Sequence, residues 1–322
     1  MNRDTFLASS PWVEVLVKSV YWRFNFVYKI LNPRARRRPQ PINVSIRPVK
    51  KLDFEKITEK LRNIGVGEGG ILIVHSAMAA MKPTGMSPNQ ICEELIRFIG
   101  PGGTLAMPAI PFYRDEPTGS ERLTDNICAK RLLYDVRKTP PSTGALPKAL
   151  MGFAGAIRSR HPLNSMVAVG RNAESMMQAN IDGDHPMACG SNSSWKFCAD
   201  NNAIIVCLGV DTSHSLTMIH VAEDSWADQW PIANWYRQRL FHIQDGDFEV
   251  DISVRERRPR WAINYGERTL QKDLISCGIL KVVYVDDLRI ETCESAALIE
   301  FLNSRKSSGY PYWLPFWDRV SR

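Results

Sequence analysis

Groups able to move a proton or polarise a carbonyl crowd into one short stretch, Thr217-Met218-Ile219-His220-Val221-Ala222-Glu223-Asp224. On a helix, positions 217, 220 and 224 share one face, so a hydroxyl, an imidazole and a carboxylate follow one another along it. An imidazole, as a side-chain type, titrates near neutrality and suits general base work. A carboxylate can orient it, and a hydroxyl can support a developing oxyanion. Acyl transfer and hydrolysis both use such a set. A second cluster is Arg158-Ser159-Arg160-His161-Pro162, with Ser165 shortly after. Guanidinium forks and hydroxyls in one loop fit phosphate oxygens. Each cluster also has a plain reading: a histidine satisfied inside a core, and a solvated charge run on a surface.

Other polar residues fall where elements end. His75-Ser76 closes the apolar run ILIVHS, so these side chains stand at a strand end, either facing a ligand or capping a loop. Ser193 sits in the small-residue loop GSNSSWKF, and His185 follows Asp184 in another loop. Asp115, Glu116, Glu249, Asp251 and Glu256 are carboxylates that could hold an ammonium or simply face water. Gly65-Val66-Gly67-Glu68-Gly69-Gly70 has dinucleotide-loop spacing, but it follows a helix and precedes a strand. That order is reversed for a dinucleotide site, so it reads as a helix stop and tight turn. No Walker A, GxSxG or HExxH pattern occurs, and His214 and His220 are not four apart as a helical zinc pair would be. No metal is expected.

These residues need a scaffold, and the chain alternates in a way that supplies one. Strands are expected at 71–76, 104–109, 165–170, 203–210 and 281–285. Helices are expected at 53–64, 88–99, 143–152, 171–179, 214–226 and 293–303. Ser87-Pro88-Asn89-Gln90 carries a capping box with proline in the first turn. Asp245-Gly246 marks a hairpin in an alternating segment. The pattern implies an α/β fold: one three-layer-like domain, a mixed central sheet flanked by helices, and antiparallel additions.

With 322 residues, 44% hydrophobic and 23% charged, the chain is long enough for a substantial core. Seven cysteines without CxxC spacing argue against a disulfide framework or zinc knuckle. The net charge of +7 is unevenly spread: residues 1–51 hold eleven Lys or Arg against two acids, and the remainder 30 against 32. The division proposed is a basic, aromatic arm over 1–51 and a catalytic body over 52–322. A slightly acidic body does not suit nucleic acid. In the arm, apolar residues at 16, 17, 20, 21, 24, 27, 28 and 31 fit a helical stripe, followed by Arg34, Arg36, Arg37 and Arg38. The stripe either docks on the body or a second copy, or, over residues 11–38, lies on an anionic membrane. No export signal is visible, which points to the cytoplasm, with the inner membrane face as a second location.

Taken together, the ordered motifs across roughly residues 53–300 resemble the aminoglycoside 3-N-acetyltransferase family. The 217–223 stretch is similar to that family's NTxxHLAE motif at Thr217, His220, Ala222 and Glu223, with Leu216 in place of its Asn. Residues 158–162 resemble its RSxHP element, and Ser193 its GxxSP serine, with Ser194 in place of Pro. The resemblance implies acetyl-CoA as co-substrate and an amine-bearing small molecule as acceptor. It implies CoA contacts at His75, Ser76, Arg158, Ser159, His161 and Ser165. Acceptor contacts are then expected at Asp115, Glu116, Ser193 and Glu256. His220 would be the base, Thr217 would hold the thioester sulfur or oxyanion, and the carboxylate behind His220 would be Glu223, Asp224 or Glu256. A Ser–His enzyme using Ser193 or Ser165, or a non-catalytic CoA- or membrane-binding relative, are the other readings.

Overall fold

The computed structural model describes residues 7, 10–23, 51–116 and 130–314, with the side chains of residues 21–23 and His214 left undescribed. The apolar positions 24–31, the Arg34–Arg38 cluster and most of the 111–130 loop therefore lie outside the described residues. In chain order the elements are α1 (Pro11–Arg23), α2 (Phe54–Asn63), β1 (Ile71–Ser76), α3 (Met78–Met81), α4 (Pro88–Ile99), β2 (Thr104–Pro108) and β3 (Leu132–Asp135). Then come α5 (Ala145–Leu150), β4 (Ile157–Arg158), β5 (Met166–Gly170), α6 (Ala173–Met177), α7 (Ser194–Asp200) and β6 (Ile204–Leu208). The rest are α8 (Thr212–Ser215), α9 (Ile219–Asp224), β7 (Tyr236–Asp245), β8 (Phe248–Arg257), α10 (Glu267–Ser276), β9 (Lys281–Val285), β10 (Leu288–Glu294) and α11 (Ser295–Asn303).

Seven strands form the central sheet in the order β4-β5-β2-β1-β6-β10-β9. β2, β1 and β6 run parallel, while β5 and β10 join antiparallel on either side. Alternation along the strands feeds two separate cores. Ile71, Ile73, Ile205 and Cys207 face α6, α7, α9, α10 and α11. Leu72, Val74, Val206 and Leu208 face α2, α4 and α5. The result is the three-layer α/β arrangement expected. α4 begins with the capping box: Gln90 N–H donates to Ser87 Oγ at 3.3 Å, and Ser87 N–H to Gln90 Oε1 at 2.8 Å.

β10 was not expected, because its sequence LRIETCE places a charged residue at the centre. Glu291 is fully buried there and accepts from the Thr212 backbone N–H at 2.9 Å, with Arg289 Nη2 at 2.5 Å. A buried charge with partners of this kind hides a strand from hydropathy.

A second sheet, β3-β7-β8, is a parallel pair extended by the β7–β8 hairpin. Its inward positions include Arg237 and Arg239 beside Phe241 and Ile243. Among the described residues no helix is long and apolar enough to cross a membrane.

Candidate active site

Ser76 on β1 pairs with Leu208 on β6, so the two central parallel strands end side by side. Beyond Leu208 the chain turns at Gly209, where φ is +65° and a Cβ would lie 2.2 Å from that of Ala80. Only glycine fits this turn. It leads into α8, whose first turn is capped by Asp211 accepting from Ser213 N–H at 2.8 Å.

The single helix expected over 214–226 is two short ones. Leu216 leaves helical geometry at φ −95°, ψ 66°, and Thr217 lies in the turn before α9. His220 N–H donates to Thr217 O at 3.1 Å, which keeps the half-buried threonine beside the histidine without a continuous helix. Ile219, Val221 and Ala222 anchor α9 in the core. The opposite side of this turn therefore presents His220.

His220 Nδ1 lies 3.1 Å from Glu223 Oε1, one helical turn away. The imidazole is 23% exposed and the carboxylate 2%, so the ring reaches outward from a buried anchor. Tyr312 Oη donates to the same Glu223 oxygen at 2.6 Å. Arg257 on β8 places Nε 3.5 Å from Glu223 Oε2 and Nη1 3.5 Å from Asp224 Oδ1. Asp224 also accepts from Tyr236 Oη at 3.0 Å and from Cys189 N–H at 3.0 Å. Glu223 is thus the carboxylate behind His220, and Asp224 is turned toward Arg257, Tyr236 and Cys189.

The two adjacent carboxyls respond oppositely to burial. Desolvation alone would raise Glu223, but His220, Arg257 and the Tyr312 hydroxyl outweigh it and hold the group below its ordinary value. Desolvation dominates at Asp224, which is raised despite Arg257, with Glu223 adding to the rise. Desolvation would lower Arg257, but Asp224 and Glu223 push it upward. Glu223 is therefore the more readily ionised of the two. Tyr312 is fixed by aromatic packing, 4.6 Å edge-on to Trp235 and 5.4 Å from Tyr265. Neither Tyr312 nor Arg257 was expected from sequence, since each lies far along the chain and in no local motif.

The Arg158–Ser165 stretch is densely bonded to the protein itself. Arg158 is 7% exposed, and its guanidinium donates to three backbone carbonyls: Val136 at 3.1 Å, Thr139 at 2.5 Å and Ala109 at 2.6 Å. His161 is buried with Nδ1 2.9 Å from Leu163 O and Nε2 3.3 Å from Pro186 O. Desolvation lowers its pKa to about 4. Ser159 Oγ accepts from His161 N–H, and Ser165 Oγ donates to His161 O and meets Tyr134 Oη at 3.1 Å. These four side chains brace the loop's own turns and join it to the rest of the body. The reason is burial, which obliges each polar group to find a protein partner.

Other expected contacts are also accounted for within the fold. Ser193 caps α7, accepting from Lys196 N–H at 3.0 Å. Ser194 is then the first helical residue, where proline is readily accommodated, so serine in its place preserves the turn. Glu256 bonds Arg237 at 2.6 Å and Arg239 at 2.9 Å, and Glu116 reaches Arg239 at 3.2 Å. Their charges are neutralised by buried arginines. Asp115 remains an exposed carboxylate. His75 is buried, lowered to about 4 by desolvation, and its Nε2 has no hydrogen-bond partner. Ser76 beside it is half-buried. Among the described residues, no group of three or more His, Cys, Asp or Glu is placed to hold a metal ion.

The sequence model for aminoglycoside 3-N-acetyltransferases matches residues 73–305. Aminoglycoside N(3)-acetyltransferase IX of Micromonospora chalcea is 29% identical over 246 residues, 70% of this chain and 82% of that protein. Aminoglycoside N(3)-acetyltransferase VIII of Streptomyces fradiae is 29% identical over 263 residues, 76% of this chain and 88% of that one. The fold is that of AAC-IIIb, solved as a binary complex with CoASH, at a TM-score of 0.65 and 19% identity, covering 82% of this chain and 99% of that chain. AAC-VIa bound to sisomicin shares it at a TM-score of 0.63 and 19% identity, over 80% and 98% of the two chains. With the match spanning most of its length, the chain belongs to the aminoglycoside 3-N-acetyltransferase family and is an acyltransferase.

Proposed function

We propose that the protein moves an acetyl group from acetyl-CoA to an amine of an amino sugar or aminoglycoside-like acceptor, with His220 as general base. The observation that carries this reading is the His220–Glu223 pair, an outward imidazole held by a buried anionic carboxylate. An amine attacks a thioester only as a neutral nitrogen that sheds a proton as the new C–N bond forms. His220 takes that proton through the ring nitrogen turned away from Glu223. Glu223 keeps the imidazole in that orientation and stabilises the imidazolium. As the C–S bond breaks, the same proton is available to the departing thiolate, so the products are an N-acetylated acceptor and free CoA thiol. Thr217, half-buried in the turn before His220, would support the oxyanion or sulfur with its hydroxyl.

For acetyl-CoA, His75, with its unpartnered Nε2, and Ser76, at the ends of the parallel strands, suit the thioester end rather than the phosphates. On the acceptor side, neutralised Glu116 and Glu256 favour an amino sugar over a polycation. The Ser–His alternative loses support, since Ser193 caps a helix and Ser165 is committed to His161 O and Tyr134.

The test is thiol release from acetyl-CoA by the full chain, with a panel of a simple amino sugar, a nucleotide-linked amino sugar and an aminoglycoside. Amine-dependent release with an N-acetylated product is expected. Hydrolysis independent of amine, or an acyl-enzyme trapped on a serine, would overturn the direct-transfer reading.

A further inference from the structure

α1 docks in an unusual sense. A surface helix ordinarily buries its apolar stripe and shows water its charges. Here the charges face inward. Glu14 is 1% exposed and accepts from the Arg268 backbone N–H at 3.3 Å and from its Nη1 at 3.1 Å. Lys18 Nζ donates to Tyr265 O at 2.6 Å and lies 3.2 Å from Glu267. Val15 is buried on the same side. The apolar residues face outward: Trp12, Leu16 and Val20, on successive turns, are 53%, 64% and 38% exposed, and Val17 beside them 43%. Positions 16, 17 and 20 were expected to form one stripe, and they do, on the side away from the body.

From this inverted docking we infer that α1 seats the protein on an anionic lipid bilayer, outward face down. The choice of occupant rests on charge. The sequence after the helix carries Lys29, Arg34, Arg36, Arg37 and Arg38, and residues 1–51 hold nine more basic than acidic residues. A bilayer with acidic headgroups supplies both an apolar layer for Trp12, Leu16 and Val20 and a negative surface for that charge. A protein groove would satisfy the apolar stripe and leave the basic excess without a function. The family match covers residues 73–305, so this helix and its basic neighbour lie outside the matched span. Lys18 and Glu14 fasten the helix to the body, which fixes how the enzyme would sit. The inference stands apart from the acetyl-transfer chemistry.

The experiment is co-sedimentation of the full chain with phosphatidylcholine vesicles and with vesicles containing one-third phosphatidylserine. The comparison variant is Leu16→Ser/Val20→Ser, which leaves Glu14 and Lys18 in place. Sizing without vesicles is run in parallel, and unchanged circular dichroism confirms the fold. Expected are binding to the acidic vesicles only, weakened by salt, and at least a tenfold lower partition for the double variant. Three results would overturn the inference: no vesicle binding by the full chain, equal binding of both vesicle types, or equal partition of the variant. A wild-type dimer that the variant abolishes, without vesicle binding, would assign the face to a second copy instead.

Discussion

His220 and His161 both lie in polar motifs of the kind that attract functional assignment, and the fold treats them in opposite ways. His220 faces outward from a short helix and leans on one buried carboxylate. His161 is enclosed, its Nδ1 accepts from the Leu163 N–H at 3.1 Å and its Nε2 faces the Pro186 carbonyl at 3.3 Å, and desolvation depresses its pKa to about 4. The neighbouring charges follow the same division. Arg257 serves two carboxylates beside the half-buried imidazole, whereas Arg158 spends its guanidinium on three backbone carbonyls. A motif's residue types announce capability. Whether that capability is turned toward a ligand or consumed by the chain depends on burial and partner type.

The sharpest way to break this comparison is to remove the carboxylate from one side of it. Glu223→Gln keeps the shape but supplies no anion, so kcat should fall roughly 10²-fold or more while the fold persists. Turnover within a few-fold of wild type would place the orienting group elsewhere.

On the other side, the buried histidines should report as stability. His75 and His161 have folded pKa values near 4 against an ordinary 6.5, so the unfolded chain binds their protons first as pH falls. Both are neutral in both states above pH 6.5, and no penalty exists there. The loss grows as pH drops from 6.5 towards 4, reaching roughly 3 kcal/mol for each. Urea unfolding across that range should show the decline, and His161→Asn should flatten part of it. A flat profile in the wild type would contradict the burial of both imidazoles.

Arg158→Ala is expected to cost about 3 kcal/mol of stability, because three buried carbonyls lose a charged donor. The affinity of the folded fraction for CoA should be unchanged, as calorimetry can check. A selective loss of CoA affinity with normal stability would return this residue to the binding site. Ser193→Ala should be smallest, about 1 kcal/mol in chemical denaturation from the lost α7 cap, with KM for the amine unaltered.

Much of the scaffold was legible because local physics agreed with it. The ILIVHS and KVVYV strands, the Ser87–Gln90 cap and the β7–β8 hairpin each follow from short-range rules, and each is present. Of the features that escaped, two did so for opposite reasons. β10 carries buried Glu291, which masks its strand character. The break at Leu216 divides a stretch whose periodicity reads as one helix. In the site, the 217–223 motif drew His220, Thr217 and Glu223 together. Tyr312 and Arg257 had no sequence signal, because what brings them to Glu223 is the packing of Trp235 and Tyr265 and the reach of β8. The carboxylates Glu116 and Glu256 were visible as charges, but their buried partners Arg237 and Arg239 read as ordinary alternating residues of a strand.

The central claim is that His220 is the proton acceptor in acetyl transfer. The most direct measurement is kcat of His220→Gln at saturating acetyl-CoA and amine, with the fold checked by circular dichroism. The account predicts a fall of roughly 10²–10⁴ relative to wild type. A folded variant with wild-type turnover would contradict it.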